Sequence, residues 1–533
     1  MANKNPFNNL PDCAAEYIKL VIKKMRWQKK VCGDVQAELI AHFEDALKDC
    51  KTDEEKEKTA KEIISEFGDA KMLAVLTRRA KKRCWPLWQK VLIRSFQALV
   101  IVFIYLSICG VYLSSGKPTI SVNYVEWLNN YVRQGRNESL NSASMLKKAA
   151  ELSIDEPNWL KESKASWPSD FNETQLQKLE NWLTQNKPAL EQFRETLDKP
   201  YYWNIYDANK SNFMKGEIFN FLPSLSTYRK LARVINWQVR YSAYKNNTED
   251  AINDTIGLCK FGHRILGNGL LIEQLVGIAI EAIGYSTVFD VLDKTTLSTE
   301  QLKQIQNFVQ RGRDDTVIDV HAEKACIYDF VQRTFTDNGT GGGRPVKQGT
   351  GFAGKNVKEI IFNMLTFNMP DKKEIIEQID HLYEAYQQEF DDANQQTLGK
   401  EYNQAKKDAP LLLQILTPAV EKVATLSWRI RTHRDGLIAT LAILRYHKQT
   451  GKYPDSLEEL LNKGFIDRIP FDAYRNGPLT YRKTDNNFIL YSYGEDFDDD
   501  NGTPSRWGTG KEGGDQVFWP VTHPAKKDVS GGK

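Results

Sequence analysis

The sequence predicts a mainly α-helical protein with one transmembrane helix and a small α+β domain at its C-terminal end. Three observations lead to this prediction. Residues 96–114 (FQALVIVFIYLSICGVYLS) form an apolar run without a single charged residue. Apolar residues recur at helical spacing through most of the chain that follows. Toward the C-terminus, short runs such as FILYS alternate with Gly, Pro and Asp, which is typical of β-hairpins.

Length and composition set the domain organisation. At 533 residues the chain is too long for one core. Its 72 Lys and Arg nearly balance 69 Asp and Glu, which excludes the basic excess of a general nucleic-acid binder. The predicted parts are a cytoplasmic helical prefix domain (1–83), a basic flank with the transmembrane helix (84–115), a large extracytoplasmic domain of stacked helices (116–408), a long helix with the α+β domain (409–522) and a disordered tail (523–533).

The flanks of the apolar run predict its orientation. Nineteen helical residues span about 28 Å, close to the hydrocarbon thickness of a bilayer. Basic residues are concentrated before the run and are sparse after it, so the positive-inside rule places the N-terminus in the cytoplasm and the C-terminus outside. The basic residues before it are Arg78, Arg79, Lys81, Lys82, Arg83, Lys90 and Arg94, whereas the twenty residues after it contain only Lys117 and Arg133.

A second apolar run, residues 270–288 (LLIEQLVGIAIEAIGYSTV), contains Glu273 and Glu281 and lacks a basic flank. Carboxylates are costly in a membrane, so this run is predicted to be the core helix of a soluble domain. Burial would raise the pKa of either carboxyl and allow acid catalysis, although buried carboxylates more often pair with a base.

The N-terminal segment resembles a known cytoplasmic domain. An apolar stripe in residues 35–49 predicts a helix, Thr52 is placed to cap the next one, and Gly68-Asp69 breaks the pattern. The motifs AELIAHFEDAL and EFGDAKMLA resemble the HAAS or permease-prefix domain that precedes transmembrane helices in many bacterial proteins. The resemblance implies a regulatory or interaction module. The stripe consists of Val35, Leu39, Phe43 and Leu47.

Residues 116–408 predict stacked helical hairpins. Helical periodicity is clear in LSTYRKLARVINWQV and at 249–266, 298–312, 314–336 and 371–392. The portion from LCKFGHRIL to LIEQLVGIAIEA resembles the helical region of membrane-anchored proteins of planctomycete-type bacteria, for which the resemblance implies no activity. Six Trp residues lie between 127 and 237. They are expected either to fill hydrophobic cores, which is the favoured interpretation, or to form a surface on which sugars stack.

Two motif-like patterns in this region need separate interpretation. The segment GTGFAGKN (349–356) matches a phosphate-binding loop except at Asn356, which replaces the metal-binding Ser or Thr, and no strand precedes it. We therefore predict no ATP binding. Cys259 and Cys326 lie on the oxidising side of the predicted membrane. Three interpretations are possible for them: a disulfide between the two, two buried free thiols, or a metal site with His263 and His321. The metal site is the least favoured of the three.

The C-terminal motifs TGKYPDSLEELL, IPFDAYRNGPLTYR, FILYSYGEDFDDDNG and GGDQVFWP follow a long helix in this order. The order resembles the globular end of type II secretion major pseudopilins, over about residues 425–520. In that family the acidic loop holds calcium, which implies Asp496 and Asp515 as ligands here. Asp498, Asp500 and Asn501 are additional oxygen donors. The membrane run lacks the pseudopilin processing site and its Glu, so pilus assembly through that helix is not expected.

The residues also favour calcium without the resemblance. Five acids within 495–500 follow directly after a strand-like run, where they can neither join a core nor lie together without repulsion. Calcium takes six to eight oxygen ligands, and alternating carboxylates supply them. Gly494 and Gly502 provide the bends of such a loop. The alternative is a solvated acidic turn.

Together these observations favour a non-enzymatic, single-pass protein of the bacterial inner membrane. It would act as a scaffold or transmembrane coupler, with a protein partner inside, a protein or glycan outside, and a calcium-stabilised C-terminal module. The alternative is an extracytoplasmic enzyme, or a glycan-binding protein, although G-x-S-x-G and H-E-x-x-H motifs are absent. An open pocket holding Glu273 and Glu281 without a base would favour the enzyme.

Overall fold

The computed structural model describes residues 6–83, 87–163, 165–207, 217–312, 318–346, 370–391, 400–409, 413, 420–505 and 513–521. The described chain is mainly helical with small sheets, as the sequence predicts. It divides into two compact units, Met1–Ile108 and Cys109–Lys533. The GTGFAGKN segment and the predicted tail lie outside the described residues. The predicted domain limits remain predictions.

Four short helices build the folded part of the first unit. The Thr52 hydroxyl oxygen accepts a hydrogen bond from the Glu55 backbone N–H, and the Thr52 backbone N–H donates to the Glu55 carboxylate, so a capping box starts the third helix. Gly68, with φ of 71°, ends it. Ile18, Val21 and Phe43 are among the fully buried residues. The helices are α1 (Asp12–Met25), α2 (Lys29–Ala46), α3 (Asp53–Phe67) and α4 (Ala70–Arg83).

The next helix, α5 (Leu87–Ser114), carries the apolar run. Within it the segment Val91–Ile108 has a mean hydropathy of 2.1, and none of it is buried in the fold. Ile101 and Phe103 are 67% and 71% exposed. A second helix, Leu271–Lys294, also passes the length and hydropathy criteria for crossing a membrane, but 72% of it is buried. Both helices are thus apolar enough to span a bilayer, and they differ in what surrounds them.

The second unit is an assembly of packed helices closed by two small antiparallel sheets. Short 3-10 turns lie at Glu138–Leu140 and Pro168–Asp170. The helices are α6 (Tyr124–Arg133), α7 (Ala143–Leu152), α8 (Asn158–Lys161), α9 (Glu173–Gln185), α10 (Lys187–Thr196), α11 (Glu217–Tyr244), α12 (Thr248–Leu266), α13 (Leu271–Lys294), α14 (Thr299–Arg311), α15 (His321–Thr334), α16 (Lys372–Asp391), α17 (Lys400–Asp408), α18 (Val420–Thr450) and α19 (Leu457–Asn462).

Helices α12 and α13 form a hairpin in which the two backbones meet. A Cβ added at Gly277 would lie 2.4 Å from the Leu266 nitrogen, and one at Gly262 would lie 2.5 Å from the Glu281 nitrogen. Glycine permits this approach because it has no side chain. Helix α11 packs on both members of the hairpin. The prediction that residues 270–288 form a core helix agrees with this packing.

The strands follow α19. The pair β1 (Phe471–Asp472) and β2 (Gly477–Pro478) is antiparallel. A three-stranded antiparallel sheet contains β3 (Thr480–Lys483), β4 (Phe488–Ser492) and β5 (Gln516–Trp519), in that order.

Helix α18 connects the sheet to the helical assembly, because it packs against α13, α14, β4 and β5. Phe518 of β5 and Ile280 of α13 belong to one hydrophobic core, together with Leu437 of α18. The residues before and after position 408, which the sequence analysis assigned to different domains, therefore share a core. Tests of the C-terminal module accordingly require the whole chain.

Candidate functional site

The acidic loop after β4 is held by hydrogen bonds from backbone amides. Asp496 accepts one from the Gly514 N–H at 2.7 Å and a weaker one from the Asp498 N–H at 3.4 Å. Asp498 in turn accepts from the Asp499 N–H at 2.9 Å. Glu495 points to a different partner and pairs with Arg429 at 2.7 Å. The loop is therefore ordered by its own main chain.

Asp515 lies beneath this loop and is fully buried. It accepts hydrogen bonds from the Gly502 N–H at 2.6 Å and from the Asp500 N–H at 3.4 Å. Burial raises the pKa of Asp515 to about 6, the amide donors oppose this shift, and the charges of Asp499 and Asp500 add to it. The buried carboxyl therefore joins the two sides of the loop.

The predicted calcium ligands are brought together only in part. A Cβ at Gly513 would lie 2.6 Å from Oδ2 of Asp496 and 3.8 Å from Oδ2 of Asp500, so both carboxylates face the same stretch of chain. Across the described residues, no group of three or more His, Cys, Asp or Glu side chains is arranged to hold a metal ion. The acids meet at one end of the sheet, with their oxygens engaged by amides.

Cys259 and Cys326 are both buried free thiols. They belong to different hydrophobic clusters, Cys259 to the main core and Cys326 to a smaller one with Val125 and Trp203. The disulfide considered from the sequence is not formed in this structure and stays a prediction. Burial raises the pKa of both thiols, which disfavours the reactive thiolate.

Glu273 is buried and fully hydrogen-bonded. It accepts from the Tyr206 hydroxyl at 2.6 Å, from the Leu270 N–H at 3.1 Å and from the Asn204 amide. Burial raises the pKa of Glu273, and these hydrogen bonds oppose the rise. Its role in this structure is to fix the start of α13 against the segment containing Tyr206.

Glu281 is buried as well, but only one of its oxygens is engaged. Its Oε1 lies 3.3 Å from Nδ1 of His263, while Oε2 is buried and has no hydrogen-bond partner among the residues that the structure describes. Because α12 and α13 meet at Gly262, the carboxylate is held directly behind the imidazole. His263 lines a cleft, and neither glutamate belongs to the described lining of that cleft.

A cleft of about 820 Å³ opens beside His263. It forms where the end of α12 meets the end of α6, the segment before Tyr206 and the start of α15. Such a volume lies within the range of small-molecule sites in proteins. Its lining includes the basic side chains Arg136, His263, Arg264 and His321 and the aromatic side chains Tyr131, Tyr201 and Tyr202.

A second carboxylate-histidine pair, Asp319 and His321, also lines the cleft. Nδ1 of His321 is 2.9 Å from Oδ1 of Asp319, which also accepts the His321 backbone N–H. Oδ2 of Asp319 accepts the Tyr131 hydroxyl at 2.7 Å. Burial raises the pKa of Tyr131, and the hydrogen bond to Asp319 adds to the rise, so the phenol stays protonated. Asp319 thus fixes both rings.

Sequence reasoning missed the cleft. His263 and His321 were considered only as metal ligands, and Arg136 and Arg264 were not singled out. The only local signal is the Asp-x-His spacing of residues 319–321. Of the six tryptophans, four are core residues, which agrees with core filling; these are Trp167, Trp182, Trp203 and Trp237.

Comparison with known proteins adds no relationship to this picture. The chain matches no protein-family model, no curated protein sequence and no solved structure.

Proposed function

We propose that the chain is a single-pass membrane protein that acts as a scaffold or transmembrane coupler, with helices α1 to α4 in the cytoplasm and the residues after α5 outside. The observation that carries this proposal is the contrast between the two apolar helices. No residue in the Val91–Ile108 segment of α5 is buried by the fold, whereas 72% of Leu271–Lys294 in α13 is buried. Since exposed apolar surface of this length is costly in water, a bilayer is the solvent that suits α5.

The first unit offers a surface for an inner protein partner. Met72, Val75 and Leu76 of α4 are 64%, 42% and 54% exposed, and they lie opposite the buried Ala70 and Ala74. An apolar stripe on the outer face of a packed helix is typical of a docking surface. We propose that the cytoplasmic partner binds this stripe.

The buried glutamates support the scaffold over acid catalysis. Glu273 is satisfied by hydrogen bonds inside the fold, and Glu281 lies beside a histidine rather than in an open pocket. The cleft favours ligand binding as a second function of the outer unit.

The orientation leads to a first prediction. A reporter that is active only outside the cytoplasm, fused after residue 533, is expected to be active in the intact cell. The physical reason is the excess of basic residues before α5. A fusion after residue 83 serves as the control and is expected to be inactive. An active reporter after residue 83 together with an inactive reporter after residue 533 would contradict the proposed orientation.

Calcium binding at the acidic loop is a second part of the proposal. Asp496, Asp500 and Asp515 lie at one end of the sheet, and Asp498 follows in the same loop. These side chains would hold the ion with help from main-chain oxygens, and the ion would supply the charge that the clustered carboxylates lack. Extracellular calcium modules bind with dissociation constants of about 10⁻⁴ to 10⁻³ M.

We expect calcium to raise the melting temperature of the second unit in the full-length protein. At a calcium concentration one hundred times the dissociation constant, binding stabilises the folded state by about 2.7 kcal/mol. Asp496→Asn is expected to abolish the shift. Asp485→Asn, which changes an exposed acid in the β3–β4 turn, is the matched control and should retain it. An equal response to magnesium, or none to calcium, would contradict the assignment.

A further inference from the structure

We propose that the cleft beside His263 binds a small saccharide that carries an oxyanion, either a carboxylate or a phosphate. This inference goes beyond the proposed scaffold function and does not depend on the membrane orientation. It rests on the charges of the lining, on how its acidic groups are engaged, and on its aromatic surface.

The lining contains two arginines, Arg136 and Arg264. Within the described part of the chain, neither Arg136 nor Arg264 forms a salt bridge with a carboxylate. Arg264 donates to the carbonyls of Thr196 and Leu197 at 3.0 and 3.1 Å, which fixes its guanidinium without cancelling its charge. A guanidinium held in this way is suited to bind carboxylate or phosphate oxygens.

Asp319 in the lining and Glu281 behind His263 are both committed to neighbouring side chains. Asp319 is engaged by Tyr131 and by His321, and Oε1 of Glu281 faces His263. Each carboxylate takes up the Nδ1 side of a histidine and so fixes the orientation of that ring. The His321 side chain is 53% exposed. The lining therefore offers an anion two arginines and an exposed imidazole.

The aromatic side chains indicate a sugar as the body of the ligand. The Arg136 guanidinium lies over the Tyr201 ring, 4.3 Å from its centroid, and Tyr201 remains 39% exposed. Tyr131 is stacked on Trp127 with ring centroids 5.2 Å apart and planes inclined by 7°. Flat aromatic surfaces beside polar groups suit the apolar face and hydroxyls of a sugar ring. The cleft volume of about 820 Å³ accommodates one or two sugar units.

The test is isothermal titration calorimetry on the full-length protein in detergent, with glucuronic acid, glucose 6-phosphate, glucose and inorganic phosphate as probes. We expect the two charged sugars to bind and glucose to bind at least about tenfold more weakly. Arg136→Gln is expected to weaken the binding of the charged sugars by about tenfold, and Arg136→Lys is expected to weaken it by less. Arg229→Gln, at an exposed position of α11, is the matched control and should bind as the parent protein does.

Each of the following results would overturn the proposal. These are equal binding of glucose and glucuronic acid, unchanged binding in a folded Arg136→Gln variant, and no heat from either charged sugar at about 10 mM. Binding of inorganic phosphate as tight as that of glucose 6-phosphate would refute the saccharide assignment. If Arg136→Gln unfolds at a lower temperature than the parent protein, His321→Gln provides the second variant. The His321 side chain is half exposed, so its replacement is expected to weaken binding while the protein stays folded.

Discussion

Replacing Gly277 by Ala is expected to destabilise the second unit by about 3 kcal/mol. The added Cβ would lie 2.4 Å from the nitrogen and 2.6 Å from the Cα of Leu266, and 3.0 Å from the Gly262 carbonyl oxygen. All three atoms belong to the backbone of α12, so no side-chain rotation can relieve the clash. The helices α12 and α13 must separate, and their separation exposes part of the core to which both contribute.

Thermal and urea unfolding of the full-length protein measure this effect. Gly33→Ala is the control, because that helical glycine in α2 has no atom within 4 Å of the added Cβ. It is expected to stabilise the first unit by about 1 kcal/mol through the higher helix propensity of Ala. Unfolding of Gly277→Ala that coincides with that of the parent protein would show that the two backbones are farther apart than described.

The same substitution at Gly262 has a further expected consequence. Its added Cβ would lie 2.5 Å from the Glu281 nitrogen and 2.7 Å from Glu281 Cγ. The clash would displace the carboxylate that lies behind His263. The close contact between α12 and α13 thus determines the position of one side of the cleft.

Local structure was the part of the fold most accessible from sequence. Thr52 caps a helix as its spacing with Glu55 indicates, and the helix predicted at 249–266 is observed as Thr248–Leu266. Helix α15 begins at His321, later than the predicted start at 314. Such features depend on a few neighbouring residues, and those residues are all present in one short window.

The cleft was not predictable because it is built from distant segments. Arg136 follows α6, Tyr201 precedes α11, His263 ends α12 and His321 begins α15. Their proximity depends on how whole helices pack, and no spacing within one window records it. The same limit applies to Cys259 and Cys326. Their predicted compartment does not determine whether helix packing brings the two sulfur atoms together. Calcium at Asp496 and Asp515 stays a prediction.

The position of His433 could not be predicted for the same reason. The ring stacks on Phe289 of α13, with centroids 5.5 Å apart and planes inclined by 5°, and on Phe518 of β5 at 6.0 Å. The Tyr285 ring contacts its edge at 5.9 Å. The imidazole therefore lies within the contact of α18 with α13 and the sheet. Burial and, as the smaller cause, the charge of Arg429 together lower the pKa of His433 to about 4.

This shift predicts acid destabilisation of the second unit. The unfolded chain binds a proton at His433 near pH 6.5, whereas the folded chain does so only near pH 4. The contribution of His433 to the free energy of unfolding is therefore fully present above pH 6.5 and declines as the pH falls toward 4. The difference corresponds to about 3 kcal/mol at about 1.4 kcal/mol per pH unit.

His433→Phe is expected to remove this contribution while retaining the aromatic stack, so the variant should lose less stability than the parent protein between pH 6.5 and 4. Urea unfolding of the full-length protein at several pH values measures the difference. Phe518→Leu is the control, because it weakens the same stack and leaves the titrating group in place. It should be less stable at every pH and keep the acid-dependent decline. Parallel curves for the parent protein and His433→Phe would show that the imidazole is protonated in the folded state, and that its stack with Phe289 tolerates the charge.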